Sequence, residues 1–338
     1  HMDDPKKISV IVPVYNRPDE TDALLGSIAA QTEHDLPYEI LIIEDGSAVT
    51  SEDVCRKWAE TLPVKYFVKE NSGPGDSRNH AMERAKGEYF VILDSDVLLP
   101  ADYFKTLGKI LSRTYVPDAF AGPDCAHESF TNVQKAINYA MTSFFTTGGL
   151  RGSSKTNVSG KHQLRSYNMV VSAAAFKRAG GFARQRVGED IEYTQRLWSN
   201  DLKTAWYPEF FVYHKRRDTL KQFFHQTMAF GMARPILNRM FPGTARLTYM
   251  FPSFFLIFMI VSILAGIFAP VLLAPLLLYL VVIFFSAWYL NKSFKVGALS
   301  VAASIVQFTG YGWGFIYSNC RMLYLDDVAK VFPYMFKH

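Results

Sequence analysis

Residues 247–291 contain no Asp, Glu, Lys or Arg, and neither do residues 296–320. A helix that crosses a bilayer needs about 20 apolar residues. The first stretch therefore suffices for two helices broken near Pro270 and Pro275, and the second for one more. That third helix is weaker, because Ser300, Ser304, Gln307, Gly310, Gly312 and Gly314 interrupt it. Two uncharged stretches in succession argue for a membrane region rather than for buried helices of a soluble core. The chain is accordingly divided into a tail at 1–6, an α/β domain at 7–217, amphipathic helices at 218–246, a transmembrane region of two to three helices at 247–320 and a tail at 321–338.

At the other end, Asp3, Asp4, Lys6 and Lys7 precede a strand rather than an apolar signal segment, and His1–Met2 reads as a cloning remnant. The α/β domain is therefore expected in the cytoplasm, at a bacterial inner membrane. Lys292 and Lys295 fit a cytoplasmic loop if the first span runs outward. Cys55, Cys125 and Cys320 form no metal or redox spacing and suit a reducing compartment.

From residue 8 onward, apolar β-branched runs alternate with helical patterns. Strands are predicted at 8–14, 39–43, 64–68 and 88–93. Helices are predicted at 19–31, 51–60 and 76–86, the second capped by Ser51. This alternation implies a mostly parallel sheet with helices on both faces.

The strand at 88–93 ends in Asp94-Ser95-Asp96. Parallel sheets place ligands at the carboxyl ends of their strands. Two carboxylates there, with no Lys or Arg between them, repel each other unless a cation intervenes. A hard divalent ion, Mn²⁺ or Mg²⁺, that also meets phosphate oxygens is the expected partner. No GxGxxG follows the first strand, and the Gly-rich stretch at 72–75 lacks the ending of a P-loop. With neither phosphate cradle present, the phosphate-binding work falls to a metal. Asp190 opens a helical pattern, where the helix dipole favours an ionised carboxylate.

Six motifs then stand in register: VPVYN at 12–16, EDGS at 44–47, the stretch 71–79 ending SRN, DSD at 94–96, AGGF at 179–182 and GED at 188–190. In order and spacing they resemble glycosyltransferase family 2, over roughly residues 7–217. The resemblance implies a GT-A fold, a nucleoside-diphosphate sugar donor and inversion at the anomeric carbon. It also implies site roles. Asp45 would accept from the imide N–H of the base, with Pro13 and Tyr15 framing that base and Arg78 nearby. Asp94 would address the ribose or the metal, and Asp96 would hold the metal against the diphosphate. Asp190 would be the general base, with Glu189 its nearest rival, and His214 would complete the metal site or touch the diphosphate. The sequence departs from the family pattern with Glu44 where Asp is commoner and Ser77 where Ala is commoner.

Residues 146–165, rich in Gly, Ser and Thr with Arg151, Lys155, Lys161 and Arg165, read as a flexible loop able to order over the substrates. Residues 219–241 place Leu220, Phe223, Phe224, Thr227, Met228 and Gly231 at helical spacing, with Lys221, His225, Arg234 and Arg239 interleaved. A basic helix with an aromatic face beside membrane spans reads as interfacial, and Pro235 is expected to kink or end it. The function expected is transfer of one sugar, from a UDP-sugar by preference, to the hydroxyl of a membrane-bound, lipid-linked acceptor. No QxxRW sequence of the processive polysaccharide synthases is present. A polyprenyl-phosphate acceptor, a catalytically inactive membrane scaffold and a nucleotidyltransferase are the alternatives, and no nucleic-acid partner is expected.

Overall fold

The computed structural model describes residues 6–148 and 155–337. They fall into two units, one of residues 6–125 and 155–215 and the other of residues 126–148 and 216–337.

In chain order, the first unit begins with β1 (Ile8–Val14), α1 (Pro18–Ala29), β2 (Tyr38–Asp45), α2 (Glu52–Trp58), β3 (Val64–Lys69), α3 (Pro74–Met82) and β4 (Tyr89–Leu93). Next come β5 (Val97–Leu98), α4 (Tyr103–Leu111), β6 (Ala119–Ala121) and β7 (Asp124–Cys125). The second unit contributes α5 (Asn132–Thr142) and α6 (Phe144–Thr147). The chain then returns to the first unit with β8 (Asn157–Gly160), β9 (Asn168–Ser172), α7 (Ala173–Ala179), α8 (Glu189–Ser199), β10 (Thr204–Trp206) and β11 (Val212–His214).

Eight strands form one sheet in the order β3-β2-β1-β4-β9-β6-β10-β8. Six run the same way, and β9 and β8 run against their neighbours. Successive side chains of a strand point to opposite faces, and each face here has its own core. Val10, Val12, Ile40, Ile42, Val91 and Leu93 pack on one side with Leu24, Leu25 and Ile28 of α1. Ile11, Leu41, Ile43, Phe90 and Ile92 pack on the other with Met82 of α3 and Tyr193 and Leu197 of α8. Each such side chain, fully removed from water, stabilises the fold by about 1.5–3 kcal/mol. The apolar runs of β1, β2 and β4 are therefore those of a sheet covered on both faces.

A second sheet, β5-β11-β7, is small. Its position depends on Gly122: a Cβ there would lie 1.4 Å from the Phe210 carbonyl oxygen. That close approach lets β7 run beside β11, with Val212 opposite Asp124 and His214 opposite Val97.

The second unit continues with α9 (Leu220–Met240), α10 (Phe251–Phe268), α11 (Ala274–Asn291) and α12 (Phe294–Arg321). Two segments, Leu247–Phe268 and Pro270–Asn291, are long and apolar enough to cross a membrane. α12 is longer, at 28 residues, but it turns Ser300, Ala303, Ser304, Phe308 and Ser318 inward against its neighbours. The small and polar residues that weaken its hydropathy are thus packing residues. Ser318 Oγ donates to the Met232 carbonyl at 2.7 Å, Ser253 Oγ to that of Gly312 at 2.9 Å, and Gln307 Nε2 to that of Ala140 at 2.8 Å.

Several local expectations change. α9 runs unbroken through Pro235. Ser51 does not cap α2 with its side chain; its hydroxyl bonds Thr21 Oγ1, and its N–H donates to Glu44 Oε2. Residues 126–148, placed by sequence in the first domain, pack in the helical unit, where Ala136, Ile137, Ala140 and Met141 of α5 meet Phe223 and Ala303. The segment expected to be a flexible loop holds the last two residues of α6 and all of β8, while Arg151 lies outside the described residues.

Candidate active site

Where β4 leaves the large sheet, the chain passes through Asp94 and Asp96 into β5. β11 pairs with β5 and brings His214 alongside. The ligand atoms of Asp94, Asp96 and His214 lie within 4.8 Å of one another. Two carboxylate oxygens and one imidazole nitrogen at this spacing fit a divalent cation. The mixed donor set suits Mn²⁺ better than Mg²⁺, which favours oxygen ligands alone. His214 Nε2 stands 3.2 Å from Asp96 Oδ1, and the backbone N–H of Lys215 donates to the Asp96 carbonyl at 2.8 Å.

The repulsion read from the sequence is already partly met from another element. α3 delivers Arg78, 2% exposed, with NH2 2.9 Å from Asp94 Oδ1 and NH1 2.9 Å from Glu189 Oε1. Arg78 is thus a buried clamp between two acids. Its guanidinium also faces the Phe182 ring at 5.1 Å. Breaking such a buried pair by removing one partner costs about 3–5 kcal/mol. Asp94 keeps about a third of its side chain exposed (32%), yet its surroundings are dry enough to push its pKa up. Arg78 opposes that rise and the neighbouring Asp96 adds to it.

Glu189 and Asp190 begin α8. Burial pushes the Glu189 carboxyl up to about 7; Arg78 pulls it down and Asp190 pushes it further up. Asp190 is less enclosed. Its Oδ1 accepts from the Ile191 N–H at 2.8 Å, and its Oδ2 lies 3.9 Å from Arg165. The ordered stretch before β9 is thus held to α8, because Gln163 Nε2 also donates to the Asp190 carbonyl at 3.3 Å and to Thr194 Oγ1 at 2.9 Å.

At the end of β2, Asp45 is 4% exposed and its oxygens are already engaged. Oδ1 accepts from Lys69 Nζ at 2.6 Å and Ser72 N at 2.9 Å; Oδ2 accepts from Gly73 N at 3.0 Å and Asn71 Nδ2 at 3.3 Å. These four bonds use the capacity of a carboxylate and fix the turn ahead of α3. An imide N–H would have to displace Lys69 or Asn71. Glu44 has a comparable structural task, accepting from Ser47, Ser51 and Tyr66. Pro13 is half-buried and Tyr15 half-exposed (51%), as an aromatic available to a ligand would be. Asn16, at φ 53°, accepts from the Ala48 and Val49 N–H groups and ties this loop to the end of β2.

The structure therefore brings Asp94, Asp96 and His214 together and joins them through Arg78 to the start of α8. Pro13, Tyr15 and Asp45 lie on the neighbouring strand ends. Sequence reasoning missed Asp124, which bonds His214; a lone Asp between Pro123 and Cys125 carries no pattern that would single it out.

Residues 9–171 match the family model of the glycosyl transferase family 2. Over 96 residues, 28% of this chain and 16% of the relative, the sequence is 41% identical to an uncharacterized glycosyltransferase of Rickettsia conorii. The chain spans less than a third of the length of such curated relatives. Among solved structures, TarS of S. aureus, residues 1–349 in complex with UDP-GlcNAc, is similar with a TM-score of 0.50. The two are 17% identical over 93% of this chain and 92% of that one. The mannosyltransferase PcManGT of Pyrobaculum calidifontis, in complex with GDP-Man and Mn²⁺, gives 0.51, at 16% identity over 98% and 84%. At these identities the likeness is one of fold, and that fold is GT-A-like.

Proposed function

From the premise that this chain carries a glycosyl transferase family 2 domain, we propose that it is an inverting glycosyltransferase. It moves one sugar from a nucleoside-diphosphate donor, UDP by preference, to a hydroxyl of a membrane-associated, lipid-linked acceptor. The observation that carries this reading is the convergence of Asp94, Asp96 and His214 where β4 leaves the sheet. These residues would hold Mn²⁺ or Mg²⁺ against the donor diphosphate, where the ion offsets charge on the departing nucleotide. Asp190 takes the acceptor hydroxyl proton as that oxygen bonds the anomeric carbon. The bond from carbon to the diphosphate oxygen breaks with its electron pair on the nucleotide. Pro13 and Tyr15 frame the base, and Asp45 accepts its imide N–H in place of Lys69 or Asn71. Arg78 acts behind the donor, holding Asp94 and Glu189 in place.

The two apolar segments support residence in a membrane, and we assign it to a bacterial inner membrane with the catalytic domain on the cytoplasmic side. Confining enzyme and acceptor to one surface raises their effective concentration.

The test is turnover of UDP-, GDP- and dTDP-sugars by the full chain in lipid, with Mn²⁺ and with EDTA. Cleavage of a UDP-sugar that EDTA abolishes is expected. Asp190→Asn should lower turnover about 10²-fold or more while leaving donor affinity in place. Full activity in EDTA, or an Asp190→Asn variant that loses donor binding but not turnover, would overturn the assignment.

A further inference from the structure

We infer that Asp124 is a positioning residue that sets His214 as a metal ligand and tunes the site toward Mn²⁺. This rests on the metal-assisted reading above and adds to it a residue that no motif contains. Asp124 sits in β7, opposite Val212 of β11. Side chains two residues apart on a strand share a face, so His214 is the diagonal neighbour of Asp124. Its Nδ1 lies 3.0 Å from Asp124 Oδ2, and its Nε2 lies on the other side, 3.2 Å from Asp96 Oδ1. Exposure of the side chains rises from Asp124 (5%) through His214 (15%) to Asp96 (26%). The imidazole thus bridges a buried acid and the more open carboxylates.

A carboxylate can only accept, so Asp124 holds a proton on Nδ1. A cation seated between the ring and Asp96 would take the place of the proton on Nε2 and meet its lone pair. The Nδ1–H tautomer is the one a metal requires on the side of Asp94 and Asp96. An ionised partner behind a ligating imidazole also raises its basicity and fixes its ring. The Tyr167 ring, 5.1 Å from that of His214, flanks the same imidazole. The frame around the pair is stiff, because Val212 N donates to the Pro123 carbonyl at 3.1 Å and Gly122 admits the Phe210 backbone. Imidazole nitrogen binds Mn²⁺ more readily than the smaller, oxygen-seeking Mg²⁺. Weakening His214 should therefore cost Mn²⁺ more than Mg²⁺.

The experiment titrates Mn²⁺, alone and with UDP, into the full chain in detergent, reading free Mn²⁺ by electron paramagnetic resonance. Asp124→Ala and His214→Ala should each weaken Mn²⁺ binding about 10–100-fold. Asp124→Asn, nearly isosteric and so the safer variant for folding, should weaken it comparably. Its amide can donate to Nδ1 and favour the Nε2–H tautomer, which has no lone pair to offer. In the His214→Ala background, Asp124→Ala should have no further effect, which a merely structural role would not produce. Wild-type affinity in Asp124→Ala and Asp124→Asn, or an undiminished effect of Asp124→Ala without His214, overturns the inference and leaves the metal reading standing. Absence of Mn²⁺ binding by the wild type, with or without UDP, overturns both.

Discussion

Glu189 is an acid whose buried environment opposes its ionisation. In the folded protein burial holds its proton up to about pH 7, whereas its ordinary value is 4.5. Between those values the folded state binds more protons than the unfolded chain, so stability falls as pH rises through that window. Glu189→Gln cannot titrate and should remove this slope. We expect the thermal midpoint of the wild type, measured against that of Glu189→Gln, to decline from about pH 4.5 to about pH 7. A constant difference across the window would mean that Glu189 is ionised throughout. We keep Asp190 rather than Glu189 as the base because of the contact Glu189 makes with Arg78. The Oε1 of Glu189 is spent on Arg78, and its acidity depends on that guanidinium.

Among the elements, the pairing of α9 with α12 is set by glycine. A Cβ on Gly231 would meet the Tyr311 carbonyl oxygen at 2.2 Å, and one on Gly314 would meet the Met228 carbonyl oxygen at 2.4 Å. Backbones this close exclude larger side chains, and forcing one in costs about 1–3 kcal/mol. Gly314→Val should therefore lower the thermal midpoint of the detergent-solubilised chain, while Gly243→Ala, with nothing within 4 Å of the added carbon, should leave it in place. Equal midpoints for the two variants would show that the helices can part without loss. This contact also explains the inward face of α9. Phe223, Thr227 and Ala233 are buried, while Lys221, His225 and Arg239 remain exposed. Arg234 is buried against Asn238, Thr244 and the Tyr249 ring.

For the whole molecule, the division into units changes what a truncation would do. A chain ending near Arg246 removes α12, and with it Leu299, Ala303 and Val306, which pack in the cluster containing Ile137, Ala140 and Met141 of α5. It also removes Gln307, the donor to the Ala140 carbonyl. Uncovered apolar surface of this kind drives association. The truncated chain should therefore elute as aggregates in size-exclusion chromatography without detergent, although its eight-stranded sheet is intact. A monodisperse truncate would show that α5 finds other cover.

The sequence by itself determined the alternation of strands and helices through β4, because continuous apolar β-branched runs and helical stripes are local signals. It also placed the acids at strand ends and marked the uncharged C-terminal stretches. Strand and helix ends shifted by up to four residues, as at α3, where Pro74 starts the helix earlier and Met82 ends it sooner than the pattern 76–86. Only the tertiary structure decided which charges meet. Arg78 and Glu189 are 111 residues apart, and His214 and Asp124 are 90 apart. Such pairings follow from sheet order and from one backbone approach at Gly122, which no local pattern encodes. The small residues of α12 were likewise ambiguous in the sequence, since glycine and serine lower hydropathy whether they face water or a neighbouring helix. Packing resolved them, because a close helix pair admits little else.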